Sequence, residues 1–126
     1  MRLPTLAEVI ACNEAVREPG EASSTADDDD LDRVSAALDR AREPSELVDV
    51  AAALAFELAA AQGFYEGNKR TAIVIARWFI RENTGLDPGA LIPAEDRDLG
   101  DLLIAAARGE NSRDAIRRLL RNRAGS

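Results

Sequence analysis

Glu66-Gly67-Asn68-Lys69-Arg70 places a carboxylate, a glycine, a carboxamide and two cations on consecutive positions. Each type suits phosphate chemistry. Lysine and arginine neutralise phosphate oxygens, arginine through a two-pronged fork. A carboxylate just before them is a hard oxygen ligand, and one carboxylate completed by phosphate oxygens is a usual set for magnesium. Gly67 permits a left-handed backbone and close approach of a ligand. Asn68 can donate its side-chain amide. An apolar-periodic stretch begins at Asn68, so the amides of a first helical turn open onto the same spot, an anion site by geometry and dipole. Lys69 is the only lysine among 16 basic residues. Two cations at a helix N-terminus are unfavourable unless an anion is present. A plainer reading stands beside this one: Gly-Asn is a common turn pair, and Lys-Arg in a first turn can simply be solvated.

The elements that must hold this stretch read as helices. Thr5 can cap a helix carrying Leu6, Val9, Ile10 and Val16, with Pro19-Gly20 as its stop. Residues 19–30 read as a loop ending in four aspartates, Asp27–Asp30, a solvated helix entry or a cation site. A second helix spans about Asp29 to Arg42, and a third Ser45 to Ala61. The third is apolar nearly all round, as a central helix is, and its alanines allow close approach. Gln62–Gly67 is a loop. The fourth helix, Asn68 to Asn83, is also apolar on most faces and ends at Gly85. Residues 86–94 form a loop. Fifth and sixth helices cover about Glu95 to Arg108 and the stretch after a Ser112 cap. The expectation is a compact all-α bundle of about six helices, two of them buried and joined by the Gln62–Arg70 stretch, forming a single domain over 1–126.

Composition removes several function classes. The chain of 126 residues has no histidine and one cysteine. Histidine-dependent triads, histidine metal sites and an internal disulfide are excluded. Cys12, among apolar helix positions, reads as a buried thiol. The net charge of −7 argues against direct nucleic-acid binding. Five arginines and one acid follow Ser112; they read as a solvated helix face or a dock for an acidic partner. No apolar run approaches the roughly 20 residues of a membrane span, and no signal-peptide core opens the chain, which points to a cytoplasmic protein without membrane contact. Trp78 reads as core. Tyr65 either flanks a ligand or covers the core edge, and Thr71 either touches phosphate or caps locally.

The run Gly63-Phe-Tyr-Glu-Gly-Asn-Lys-Arg-Thr-Ala72, preceded by two helices and followed by an apolar one, resembles the Fic/death-on-curing (Fic/Doc) family. That family's signature is His-x-Phe-x-(Asp/Glu)-Gly-Asn-(Gly/Lys)-Arg. Its compact death-on-curing branch has this length and the Lys-Arg-Thr-Ala ending. PTLAEVIACNEA looks like that branch's first helix and ARGENSRDAIRRLL like its closing helices. The resemblance implies a Fic fold that binds ATP with Mg2+. Fic proteins usually transfer AMP to a protein hydroxyl. The death-on-curing branch transfers phosphate, with elongation factor Tu of the translation machinery as target. Such proteins are toxins held inactive by a small antitoxin that covers the active-site groove. Carried over by position, Phe64 anchors the loop in the core and Glu66 holds magnesium. Gly67 and Asn68 form the phosphate-binding turn, and Lys69 and Arg70 grip the phosphates.

The signature histidine falls at Gln62. In the family it takes the proton of the attacking hydroxyl. A carboxamide can orient a hydroxyl but cannot accept its proton near neutral pH. Three accounts follow: a knocked-out toxin, a natural member that keeps binding alone, or one using another base such as Glu57, Glu66 or Tyr65. A non-catalytic module that binds nucleotide or antitoxin is therefore an alternative function. AMP transfer is another, though Ile73 stands where the longer Fic motif adds an arginine.

Overall fold

The computed structural model describes residues 1–17 and 29–125. Among them are six α-helices, one short 3-10 turn and no strand: α1 (Leu6–Val16), α2 (Leu31–Ala41), α3 (Leu47–Ala61), α4 (Asn68–Thr84), α5 (Arg97–Ala107) and α6 (Arg113–Ala124). The all-α expectation holds. The Pro19-Gly20 stop and Asp27-Asp28 lie outside the described residues.

Local chemistry sets most boundaries. Thr5 and Glu8 form a reciprocal capping box at α1, with the Thr5 hydroxyl accepting from the Glu8 amide and the Glu8 carboxylate from the Thr5 amide. These bonds hold the Glu8 carboxyl below its usual range. Asp30 and Asp96 cap α2 and α5 through their carboxylates. Gly85 ends α4 at φ 71°, returning its amide to the Arg81 carbonyl. Ser112 stands at the start of α6 but makes no cap bond; its hydroxyl donates to the Leu102 carbonyl and ties α6 to α5 instead.

Helix α3 is the axle. It packs against α2, α4, α5 and α6, and Val50 through Ala55 are all buried. The alanines on its faces let four neighbours approach without large ridges in the way. Helix α1 lies on α4 and touches α2. The fourth helix is less enclosed than its composition suggests. Thr71, Ala72, Ile75, Ala76, Phe79 and Ile80 are buried, whereas Val74 is exposed. Trp78 is only half-buried, with the Arg2 guanidinium 5.1 Å from its ring centroid, so it borders the core and does not fill it. No helix of the described residues is long and apolar enough to cross a membrane.

Three of the five arginines of α6 reach across the bundle, whereas Arg118 is exposed and Arg117 pairs with Asp114 of its own helix. Arg113 reaches Glu57 of α3, Arg121 grips Asp49 of α3, and Arg123 holds Asp96 at the head of α5. They fasten the last helix across the bundle. Arg123 holds the Asp96 carboxyl below its ordinary value, and Arg121 does the same for Asp49. A carboxyl with a depressed folded pKa stabilises above its unfolded value of about 3.9 and loses that contribution as pH falls through the folded value. Unfolding in urea should therefore give falling stability below about pH 4. Asp96→Asn should be less stable at pH 7 and show a shallower fall with acid.

Candidate phosphate-binding loop

Helix α3 stops at Gln62, whose φ of 48° and ψ of 40° are left-handed. Gln62 is the one described non-glycine residue with positive φ. Its exposed side chain folds back, and its Nε2 donates to the Ala59 carbonyl at 2.7 Å. The carboxamide nitrogen thus satisfies a carbonyl at the end of its own helix.

Gly63 follows, buried against α2. A Cβ there would stand 2.5 Å from Val34 Cγ2 and 3.0 Å from the Asp30 carbonyl oxygen. The Asp30 amide also donates to the Gly63 carbonyl at 2.6 Å. The close approach leaves no room for a methyl group. Gly63→Ala is expected to cost about 2 kcal/mol through overpacking, read as a lower urea midpoint with an unchanged slope.

Phe64 is 5% exposed and joins the main core. Its backbone is clamped from both sides by Asn68. The Phe64 amide donates to Asn68 Oδ1 at 3.0 Å, and Asn68 Nδ2 donates to the Phe64 carbonyl at 2.8 Å. Both polar atoms of Asn68 thus shape the turn. Tyr65 leaves its ring in solvent at 63% exposure, so it does not cover the core edge.

Gly67 is the N-cap of α4 at φ 76°, and no side chain caps this helix. The Thr71 amide closes the first turn on the Gly67 carbonyl at 2.8 Å. The first turn carries no acid; it carries Lys69 and Arg70. Lys69 is exposed, and its stem crosses α5 at Gly100, where a Cβ would meet Nζ at 3.2 Å and Cε at 3.3 Å. Arg70 is half-buried, as is Glu66. The loop and the uncapped first turn of α4, which carries Lys69 and Arg70, thus lie together at the head of that helix, with the Lys69 ammonium against α5. Among the described residues no three cysteine, aspartate or glutamate side chains converge as a metal cluster. Glu66 offers one carboxylate, a donor set that fits a magnesium ion completed by phosphate oxygens.

Of the residues that the sequence offered as substitute bases, Tyr65 and Glu66 lie in the loop itself, whereas Glu57 sits inside the bundle. Glu57 is 5% exposed and bridges Arg40 of α2 and Arg113 of α6. It is a structural ion pair inside the bundle. Thr71, 1% exposed, neither touches the loop's open side nor caps the helix; its Oγ1 accepts from Asn13 Nδ2 at 3.1 Å. Cys12 is half-buried, and burial pushes its thiol pKa up, which fits an inert packing role.

Two residues that sequence reasoning passed over, Asn13 and Arg17, and one that it read otherwise, Asp29, brace the loop. Asn13 is buried on α1 and donates to the Glu66 carbonyl at 2.9 Å. Arg17, at the end of α1, donates to Asn13 Oδ1 and to both oxygens of Asp29. Asp29 accepts from the Tyr65 amide at 2.8 Å. Its side chain is 8% exposed, so this member of the aspartate run is a loop brace and not a solvated helix entry. The one available signal was Asn13 itself, a carboxamide one turn after the buried Val9.

A family comparison places these features. The model of the Fic/DOC family matches residues 13–80, more than half of the chain. The match starts at Asn13, takes in α2, α3 and the loop, and ends near the buried part of α4. No curated protein matches the chain. The all-helical bundle, the loop between its central helices and the family match agree, and the chain belongs to the Fic/DOC family.

Proposed function

We propose that the Gln62–Arg70 loop binds the triphosphate of a nucleotide such as ATP with Mg2+, on a death-on-curing-like toxin scaffold that transfers phosphate to a protein hydroxyl. The observation that carries this reading is the first turn of α4. It opens on a left-handed glycine, has no side-chain cap and no acid, and bears two cations instead. Positive side chains at the positive end of a helix dipole favour an anion there. Bound magnesium would neutralise charge on the phosphates. Glu66 would hold that ion, the Gly67 turn would present backbone amides, and Lys69 and Arg70 would bind and orient the phosphate oxygens.

In phosphate transfer the hydroxyl oxygen forms a bond to the γ-phosphorus, the bridging bond to the β-phosphate breaks, and ADP leaves. The hydroxyl proton needs an acceptor. Gln62 occupies the place of that acceptor and cannot take the proton, so transfer by this chain is impaired while binding is kept. The target class follows from the family resemblance: a protein of the translation machinery, elongation factor Tu-like. A small antitoxin covering the groove is the partner expected on the same ground.

A second reading, a binding module without catalysis, draws support from the Gln62 side chain being tied to Ala59. Titration of Mg·ATP into the chain, followed calorimetrically, tests the shared premise. Saturable binding that disappears with EDTA supports the site. No binding up to millimolar nucleotide removes it.

A further inference from the structure

We infer that Asn13, oriented by Arg17, is a positioning residue that selects the peptide orientation on which the anion site depends. The inference rests on the triphosphate reading of the loop and adds a residue from a different helix to it.

The chain of contacts starts at the rim and runs inward. Arg17 is a donor only. Its Nε lies 2.7 Å from one end of the Asn13 carboxamide, so that end must be the oxygen. The nitrogen is thereby turned to the other side. There it meets two acceptors, the Glu66 carbonyl at 2.9 Å and Thr71 Oγ1 at 3.1 Å. Arg17 is itself locked by Asp29, through 2.7 and 2.8 Å contacts to the two carboxylate oxygens. Asp29 then accepts from the Tyr65 amide. One relay of side chains therefore holds the Tyr65-Glu66 pair at both ends, by the Tyr65 N–H and by the Glu66 C=O.

The consequence lies in the next peptide unit. A trans peptide is planar, and its C=O and N–H point in opposite directions. Asn13 draws the Glu66 carbonyl toward α1. The Gly67 N–H of the same unit is thus directed away from α1, at the head of α4. If this peptide turned over, a carbonyl oxygen would face the anion site and a donor would be lost from it. Gly67 permits either orientation, so the loop sequence alone does not choose. The buried Asn13 amide makes the choice. Gly67 also sits close against it: a Cβ at Gly67 would meet Asn13 Nδ2 at 3.2 Å. Asn13 does not touch the ligand in this account; it acts through the Glu66–Gly67 peptide.

Asn13→Asp is the discriminating substitution. It keeps size and an acceptor for Arg17, removes the donor, and sets a carboxylate against the Glu66 carbonyl. The new carboxylate prefers the Gly67 N–H, which favours the turned-over peptide. Affinity for Mg·ATP should fall about tenfold or more, the loss expected for a misdirected donor to a charged ligand. The Gly67 amide resonance, which should shift on adding Mg·ATP to the wild type, should no longer respond. In the free variant, hydrogen exchange at Gly67 should slow relative to wild type as the N–H turns inward. Affinity within twofold of wild type, with an unchanged Gly67 response, overturns the inference.

Arg70→Ala serves as the control for the site itself. If the wild type binds no Mg·ATP, the triphosphate reading fails, and the orientation claim is then decided by Gly67 exchange alone. Equal rates in the wild type and Asn13→Asp overturn it; slowed exchange in the variant upholds it. If Asn13→Asp does not fold, Arg17→Met at the rim replaces it. This variant frees the Asn13 amide to reverse, and it should weaken binding in the same direction by a smaller factor. Unchanged affinity and Gly67 exchange in a folded Arg17→Met overturn the inference as well.

Discussion

Replacing Gln62 by histidine is expected to raise the rate of group transfer by about 10²–10⁴-fold, the usual worth of a positioned general base. The position tolerates the change. Gln62 is left-handed at the end of α3, and histidine is among the residues enriched in that conformation. The Ala59 carbonyl, now 2.7 Å from the glutamine nitrogen, is placed to accept from one ring N–H. That bond would fix the tautomer and leave the other nitrogen as base. The C-terminal end of α3 favours the protonated ring, which raises the imidazole pKa. The rate should therefore rise with pH through a midpoint at or above about 6.5, as neutral imidazole accumulates. The wild-type chain should show no such inflection. A pH–rate profile of single-turnover transfer reads both effects at once. A histidine variant that folds, binds nucleotide and still transfers no faster would show that more than the base is missing.

Alanine at Arg70 is expected to weaken Mg·ATP binding by roughly 10- to 100-fold, and alanine at Lys69 by about 10-fold, the scale of lost charge-assisted hydrogen bonds. Arginine loses more because its fork binds two oxygens at once. The free protein should respond in the opposite sense to Lys69→Ala. The lysine sits at the positive end of the α4 dipole, exposed, without an acid in the first turn. Removing it should leave stability unchanged or raise it by a few tenths of a kcal/mol. Loss of affinity together with no loss of stability marks a residue kept for a ligand. Calorimetric titration and urea unfolding of the same samples give the two numbers. Equal nucleotide affinity in Lys69→Ala, Arg70→Ala and wild type would remove the phosphate-site assignment.

What could be read from sequence is what a few neighbouring residues encode. Thr5 with Glu8, Gly85, and the apolar spacing of α3 and α5 announce helix limits and inward faces locally. The phosphate chemistry proposed for the loop rests on neighbouring residues in the same way. Contacts across the chain were hidden. Asn13 meets partners 53 and 58 residues away, and nothing near it specifies them. Arg113, Arg121 and Arg123 of α6 look like a charged face in sequence because their acids lie on α3 and at the head of α5. Asp29 looked solvated because aspartates surround it, yet packing of the loop buries it beside Arg17. Thr71 and Trp78 were misplaced by the same cause: which side of α4 meets α1 is decided by tertiary packing, not by composition. The left-handed Gln62 had no local signal at all, since glutamine rarely takes that conformation.

The most direct test of a transferase scaffold silenced at Gln62 is label transfer. The chain and its Gln62→His variant are incubated with Mg2+ and ATP labelled at the α- or the γ-phosphate in a bacterial lysate, and labelled proteins are resolved. The account predicts a band from the γ-label with the histidine variant and none, or a trace, with the wild type. A band from the α-label would keep the scaffold and change the transferred group to AMP. No labelled band with either protein, at nucleotide concentrations where both bind, would contradict the account and leave Gln62–Arg70 as a binding loop.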